Sequence, residues 1–328
     1  MPDRSERCSE EMPNFAADMR VMCFIRRWTL PVAMAVGIVL FALAPSLFID
    51  KKSGGTGIVA CLFPITLFIT LFATFARVDF RAMRLRRWHL RLMLAQIAIV
   101  GLLLSLAICC PLESTPRLVS ASLLTCAIAP CAAAAPVVTS QIGGSLVSMT
   151  TFMLLSCLLC VVTIPLVFPL LAPHAGIGFL STACAILRRL AAVLLLPLAM
   201  GWLVRHYLHG LYNWLTLHTQ LSFYAWCLSL AMISGLTVRN IVGSSFPAVA
   251  VAIVAAGSLA ICLVQYLLGH LIGRHSPELV NARQGMFQKN TALAIYISTI
   301  FLPPAAAIGA GCYVLWQNIV NSYELRKR

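Results

Sequence analysis

The sequence FQKNTALAIYI, at residues 287–297, places four polar side chains at the start of a run that stays apolar for about three helical turns. The four are Gln288, Lys289, Asn290 and Thr291. A charged side chain at the centre of a bilayer costs on the order of 3 kcal/mol by insertion scales. The stretch therefore indicates either the end of a membrane helix or a polar interruption inside one.

The composition is that of an integral membrane protein. Of 328 residues, 60% are hydrophobic and only 10% are charged, whereas soluble domains carry roughly 25% charged residues. Mean hydropathy is +0.91. Because a transmembrane helix needs about 20 mostly apolar residues, the sequence predicts ten spans, at about residues 28–48, 57–76, 92–112, 118–141, 145–171, 186–207, 220–238, 246–272, 285–302 and 305–323.

The net charge of +14 indicates topology rather than nucleic-acid binding, because the basic residues lie in the connections between apolar runs. With the N-terminus inside, 17 of the 24 Lys and Arg residues fall on the cytoplasmic side. The positive-inside rule thus favours an even number of spans with both termini in the cytoplasm. We expect the protein to lie in the cell (inner) membrane. The basic connection at residues 77–91 is expected either to serve as a topology determinant alone or to lie on the surface and meet anionic lipid headgroups.

The chain divides into a cytoplasmic tail at 1–27, a transmembrane domain at 28–323 and a cytoplasmic tail at 324–328. Ten spans form two sets of five, at about 28–172 and 183–323, and an odd number per set makes the second set inverted. Inverted repeats with a midplane site formed by interrupted helices are a common transporter plan. The matching fourth and ninth spans are both irregular: the fourth contains PCAAAAP at 130–136, and the ninth contains the opening stretch.

Enzyme classes lack their usual residues. None of the ten acids lies within the core of a predicted span, and zinc-protease, phosphate-loop and prenyl-diphosphate motifs are absent from the sequence. The 13 cysteines are interpreted as small apolar packing residues. The sequence therefore predicts a protein that is not an enzyme and has no cofactor or resident metal.

Clustered amides and hydroxyls remain in the spans, and buried amides need partners in lipid. The candidate substrate- or ion-binding residues are Gln96, Pro130, Pro136, Thr139, Gln288, Lys289, Asn290, Thr291, Gln317 and Asn318. Three roles are open for Lys289: it extends to the cytoplasmic interface, it replaces a bound cation, or its amine carries a transported proton. An anionic substrate would also suit its charge.

Five stretches carry a family resemblance: RVDF at 77–80, the proline- and glycine-containing 130–144, LPLAMG at 196–201, QKNTALA at 288–294 and WQNIVNS at 316–322. In this order they resemble the bile acid:sodium symporter family over about residues 30–323. The resemblance implies a ten-helix secondary transporter in which broken helices 4 and 9 cross. It also implies a panel of spans 1, 2, 6 and 7 beside a core of spans 3–5 and 8–10.

The sodium ligands that the resemblance implies are largely missing. Gln96 stands for the helix-three glutamine, but the glutamate position falls at Gly285, the Ser-Asn position at residues 135–136, and a glutamine position at Lys289. The helix-five hydroxyls are displaced to Ser148, Thr150 and Thr151. An ammonium in place of sodium supplies the same charge and three donors.

We therefore expect a sodium-independent secondary transporter of a small organic anion. The alternatives are a sodium-coupled symporter of the same family and a non-transporting membrane receptor or scaffold. The oligomeric state is not predicted.

Overall fold

The computed structural model describes residues 29–50, 55–112, 114–171, 178–218, 220–244 and 246–326. Within these ranges the chain is almost entirely helical, apart from a two-residue strand pair of β1 (Ile49–Asp50) and β2 (Gly55–Thr56). The predicted tail at 1–27 lies outside the described residues.

The α-helices that the described residues form are α1 (Thr29–Leu43), α2 (Ile58–Phe75), α3 (Arg87–Ile108), α4 (Thr115–Ile128), α5 (Ala135–Gln141), α6 (Leu146–Leu171), α7 (Phe179–Tyr207), α8 (His209–Leu217), α9 (Gln220–Val242), α10 (Ala248–Gly273), α11 (Leu279–Phe287), α12 (Thr291–Phe301) and α13 (Ala307–Arg326). Six of them are long and apolar enough to cross a membrane, namely α2, α3, α6, α7, α9 and α10. Shorter apolar helices lie in α1, α4 and α12. The chain is thus an all-helical, multi-pass membrane protein.

The fourth and ninth predicted spans are each interrupted in the structure, at the two stretches that the sequence predicts to be irregular. Residues 129–134 separate α4 from α5, and residues 288–290 separate α11 from α12. Proline alone does not explain them, because Pro64, Pro165 and Pro197 all lie inside continuous helices.

Several helix ends differ from the predicted bounds. Helix α3 begins at Arg87, five residues earlier than predicted, because the Arg86 backbone N–H donates to His89 Nδ1 at 3.2 Å and closes the first turn. Part of the predicted basic connection is therefore helical. Helix α13 continues to Arg326, through most of the predicted C-terminal tail. Glu324 holds this end, since its carboxylate accepts from Arg283 and from Tyr266, each at 2.7 Å.

We describe the helices as a panel group (α1, α2 and α7–α9) and a core group (α3–α6 and α10–α13), which contact each other through α6 with α7 and through α9 with α13. In the panel group, α1 contacts α9, and α2 contacts both α7 and α9. In the core group, α3 contacts α4, α10 contacts α11, and α13 contacts α4, α10 and α12. Glycine permits the closest approaches: a Cβ on Gly37 would lie 1.9 Å from the Ala231 carbonyl oxygen, and one on Gly309 would lie 2.0 Å from that of Ser122.

Salt bridges between described residues stay within one group. The panel group contains the pair of Arg205 with Asp79 at 3.1 Å, which joins the end of α7 to the segment after α2. The core group contains the pairs of Arg86 with Glu278 and of Arg283 with Glu324. These carboxylates therefore hold neighbouring elements of the same group together.

Candidate functional site

The two broken helices meet at their breaks, which we call the crossing (residues 129–134 and 288–290). Cys131 and Lys289 pair as an antiparallel bridge. The backbone N–H of Ala132 donates to the Gln288 carbonyl at 2.8 Å, and that of Asn290 donates to the Pro130 carbonyl at 2.7 Å. Each unwound segment thereby supplies the hydrogen bonds that the other has lost, as non-helical backbone at membrane depth requires.

Side chains from neighbouring helices bond three further backbone groups of the crossing. Gln317 on α13 bonds both backbone groups of Lys289: its Oε1 accepts from the N–H at 2.9 Å and its Nε2 donates to the carbonyl at 3.2 Å. On the other strand of the crossing, Ser156 Oγ on α6 accepts from the Cys131 N–H at 2.9 Å. Asn290 caps α12, since its Oδ1 accepts from the Leu293 N–H at 3.1 Å.

The Lys289 side chain ends inside the protein. The residue is 1% exposed, and its Nζ donates to Oε1 of Gln96 on α3 at 2.9 Å. The other end of the Gln96 amide donates to the carbonyls at the end of α4, Ile128 at 3.3 Å and Ala129 at 3.2 Å. The Lys289 amine thus joins the crossing to α3 and does not extend to the surface of the protein.

Helix ends of opposite polarity meet at the crossing. Helices α4 and α11 end there with their carbonyl groups, while α5 and α12 begin there with their N–H groups. The hydrogen-bond partner of the Lys289 ammonium is a neutral amide. Among the described residues, the carboxylates of Asp79, Glu278 and Glu324 are each paired with an arginine instead. Lys289 is therefore a buried amine that donates to Gln96 and pairs with no carboxylate among the described residues.

A small cavity lies between the crossing and the panel group. It encloses about 20 Å³ open to a water-sized sphere, which is room for roughly one water molecule. The panel group contributes side chains from α2 and α9, and the core group contributes both segments of the crossing. The lining residues are Leu67, Thr70, Trp226, Ser229, Leu230, Ile233, Val314, 132–134 and 289–292.

Seven of the ten predicted site residues contribute to the crossing directly. Lys289, Asn290 and Thr291 line the cavity. Gln96 and Gln317 bond Lys289, and the backbone carbonyls of Pro130 and Gln288 accept from the opposite segment. The Gln288 side chain is buried, and neither end of its amide has a hydrogen-bond partner among the described residues.

The other three predicted residues lie farther along the helices. Pro136 is in the first turn of α5, where a missing N–H is tolerated. Thr139 is buried in the same helix, and its Oγ1 has no partner among the described residues. Asn318 donates to the Val314 carbonyl of its own helix at 2.7 Å. None of these three lines the cavity.

Ser156 and the panel-group residues of the cavity were not predicted from the sequence. Ser156 is one of several hydroxyls in a long apolar run, and only the position of the break identifies it as the partner of Cys131. Thr70 and Ser229 bond to carbonyls of their own helices, as isolated hydroxyls in membrane helices commonly do. No signal in the sequence distinguishes such residues.

Of the positions implied as sodium ligands, Gln96 and Lys289 bond each other, whereas two of the helix-five hydroxyls bond within their own helix. Thr150 and Thr151 donate to the preceding turn of their own helix, at 2.8 and 2.9 Å. A Cβ on Gly285 would lie 2.8 Å from Cδ1 of Phe152, so a glutamate at that position would require Phe152 to move. Within the described residues, no group of three His, Cys, Asp or Glu side chains is placed to hold a metal ion.

No family model and no curated protein matches this chain. The candidate function therefore rests on the geometry of the crossing and of the cavity beside it.

Proposed function

We propose that this protein is a secondary active transporter that moves a small organic anion without sodium, with the Lys289 ammonium in place of a bound cation. The observation that carries the proposal is the buried ammonium at the crossing, 2.9 Å from Gln96 Oε1 and compensated by no carboxylate among the described residues. A fixed cation there supplies the charge and the donors that helix carbonyl ends require.

We further propose ten spans arranged as two inverted repeats, the first from α1 to α6 and the second from α7 to α13. The contacts between helices support this assignment. When each helix is replaced by the helix at the equivalent position of the other repeat, each of the following contacts corresponds to another observed contact. The contact of α1 with α9 becomes that of α7 with α2, and the contact of α3 with α4 becomes that of α10 with α11. The contact of α5 with α6 likewise becomes that of α12 with α13.

The crossing favours an anion on its cavity side. Residues 290–292, at the N-terminus of α12, line the cavity, and the Lys289 ammonium lies on the α3 side of the same segment. Both contribute positive potential to the cavity. We therefore assign the ammonium to holding the crossing together and the helix N-terminus to contacting the substrate.

Transport would proceed by movement of the core group against the panel group. The cavity lies between the groups and has room for roughly one water molecule, so an organic anion enters only when the groups separate. The salt bridges between described residues do not oppose this separation, because each lies within one group.

Uptake in proteoliposomes tests the proposal. A thermal-shift screen of small carboxylates, sulfonates and phosphates first identifies a stabilising compound. Its uptake is then measured with an inward sodium gradient and with choline in place of sodium. We expect equal initial rates, and strict sodium dependence would instead favour the sodium-coupled alternative.

Lys289→Met separates transport from a receptor or scaffold role. A transporter that relies on the ammonium loses flux of the stabilising compound in this variant. Binding of the compound without flux in the wild-type protein, under any gradient of sodium or protons, would favour the non-transporting alternative.

A further inference from the structure

We propose that the protein carries a specific site for an anionic phospholipid along α3, with the phosphate at Arg87 and Arg91 and an acyl chain in a cleft between α3 and α6. The site lies on the outer surface of the core group, and the inference does not depend on transport. Residues 77–91 are expected to meet anionic headgroups. The proposal assigns this contact to Arg87 and Arg91 and places the acyl chain of the lipid in the cleft.

The cleft lies between two helices that are apolar on their exposed surfaces. It has a volume of about 160 Å³, which is room for several methylene groups. Helix α3 contributes Gln96, Ile97, Val100, Gly101 and Leu104, and helix α6 contributes residues 159, 163, 166 and 167. Gly101 opens the cleft, since a Cβ built on it meets nothing within 4 Å.

The arginines stand at the right depth for the headgroup of a lipid in this cleft. Helix α3 rises about 1.5 Å per residue, so Gly101 lies about 15 Å below Arg91 along the axis. One leaflet of the hydrocarbon core is about 15 Å thick, half of the roughly 30 Å for the whole core. A chain that enters at the arginines therefore ends in the cleft.

A continuous stripe of apolar residues on α3 connects the two arginines to the cleft. Leu90, Leu94, Ile97 and Gly101 recur at helical spacing and lie on one face of α3. Leu90, Leu94 and Ile97 are 55%, 57% and 45% exposed, so the stripe is open to a lipid chain. Arg87 stands one turn before Leu90, and Arg91 one turn before Leu94.

The arginines are free to bind a phosphate. Arg87 and Arg91 are exposed, and neither forms a salt bridge with a described residue. Their neighbour Arg86 is instead paired with Glu278. Two guanidinium groups one turn apart match the geometry of a phosphate diester, and the N-terminus of α3 adds positive potential.

Native mass spectrometry of the full chain tests the site. The purified protein is released from micelles that contain phosphatidylglycerol or phosphatidylcholine with the same acyl chains, and bound lipid is counted. We expect the wild type to prefer phosphatidylglycerol and R87Q/R91Q to lose this preference by roughly 30-fold, as two basic residues near an anionic surface would contribute. The matched control R188Q/R189Q removes two exposed arginines of α7 and should keep the preference.

The cleft is tested by Gly101→Leu, whose Cβ meets no atom within 4 Å and whose longer side chain occupies the cleft. We expect this variant to bind both lipids more weakly at the site, while Gly210→Leu, another glycine with open space, binds like the wild type. Equal loss in R188Q/R189Q would overturn the headgroup assignment. Unchanged binding in Gly101→Leu, or full competition by deacylated phosphatidylglycerol, would overturn the acyl-chain assignment.

Discussion

The role of Lys289 depends on the groups to which it is hydrogen-bonded. Its ammonium bonds Gln96, and its backbone N–H and carbonyl bond Gln317. The residue is therefore fixed at both ends, and a change of its side chain leaves the backbone of the crossing paired. The effect of the Lys289 side chain can therefore be tested by substitution without unpairing the backbone of the crossing.

Lys289→Gln should make the stability of the protein depend on sodium. The substitution removes the fixed charge and supplies an amide oxygen, so the carbonyl ends at the crossing gain from a bound cation. We expect the melting temperature to rise with NaCl relative to choline chloride in this variant and not in the wild type. Lys289→Met is the matched control, because methionine offers no oxygen ligand; an equal sodium response in both variants would contradict the account.

Gln317→Leu should destabilise the protein more than Ser156→Ala. The first removes two hydrogen bonds to Lys289 and leaves its N–H unpaired, while its carbonyl keeps the bond from the Thr291 N–H at 3.0 Å. The second removes one bond and leaves the Cys131 N–H unpaired. An unpaired buried group costs about 1–3 kcal/mol, and each further lost hydrogen bond costs about 1 kcal/mol. Unfolding in a mixed-micelle titration with sodium dodecyl sulfate gives both values. A larger loss in Ser156→Ala would mean that the two sides of the crossing are not held as described.

At the scale of elements, close helix contacts should decide the effect of glycine substitutions. Gly37→Ala and Gly309→Ala place a Cβ about 2 Å from a backbone oxygen of another helix, which costs about 1–3 kcal/mol through overpacking. Gly101→Ala meets no atom and should stabilise α3 by up to about 1 kcal/mol. Thermal unfolding compares the three, and destabilisation by Gly101→Ala would contradict the assignment of open space there.

Much of the element layout was predictable from the sequence, because apolar length and basic connections are strong signals in a membrane chain. The places of the two breaks were predictable from PCAAAAP and from the polar residues of FQKNTALAIYI. The ends of the helices were less predictable. Helix α3 begins before its predicted start because His89 accepts from Arg86. Helix α13 extends beyond its predicted end because Arg283 and Tyr266 donate to Glu324. These are tertiary contacts or local caps that hydropathy does not contain.

The candidate site was predictable only where a polar type is rare in a span. Lys289, Gln96 and Gln317 stand out in this way, and the structure joins them. Ser156 and Ser229 did not stand out, because hydroxyls are common in membrane helices. Thr139 follows the break closely in the sequence, yet it lies in α5 and does not line the cavity.

At the scale of the whole molecule, the proposed movement of the two groups predicts which buried serine becomes accessible. Ser229 and Ser234 are each 2% exposed and each bond a carbonyl of α9, but only Ser229 lines the cavity. Ser229→Cys should therefore react with a polar thiol reagent in liposomes, while Ser234→Cys should not. Mass spectrometry of the labelled peptide measures both, and equal labelling would contradict a movement at this interface.

Uptake of the stabilising organic anion into proteoliposomes tests the central claim most directly, because it asks whether Lys289 makes sodium unnecessary. We expect the same initial rate with an inward sodium gradient and with choline, together with loss of uptake in Lys289→Met. Uptake that requires sodium, or that persists unchanged in Lys289→Met, would contradict it.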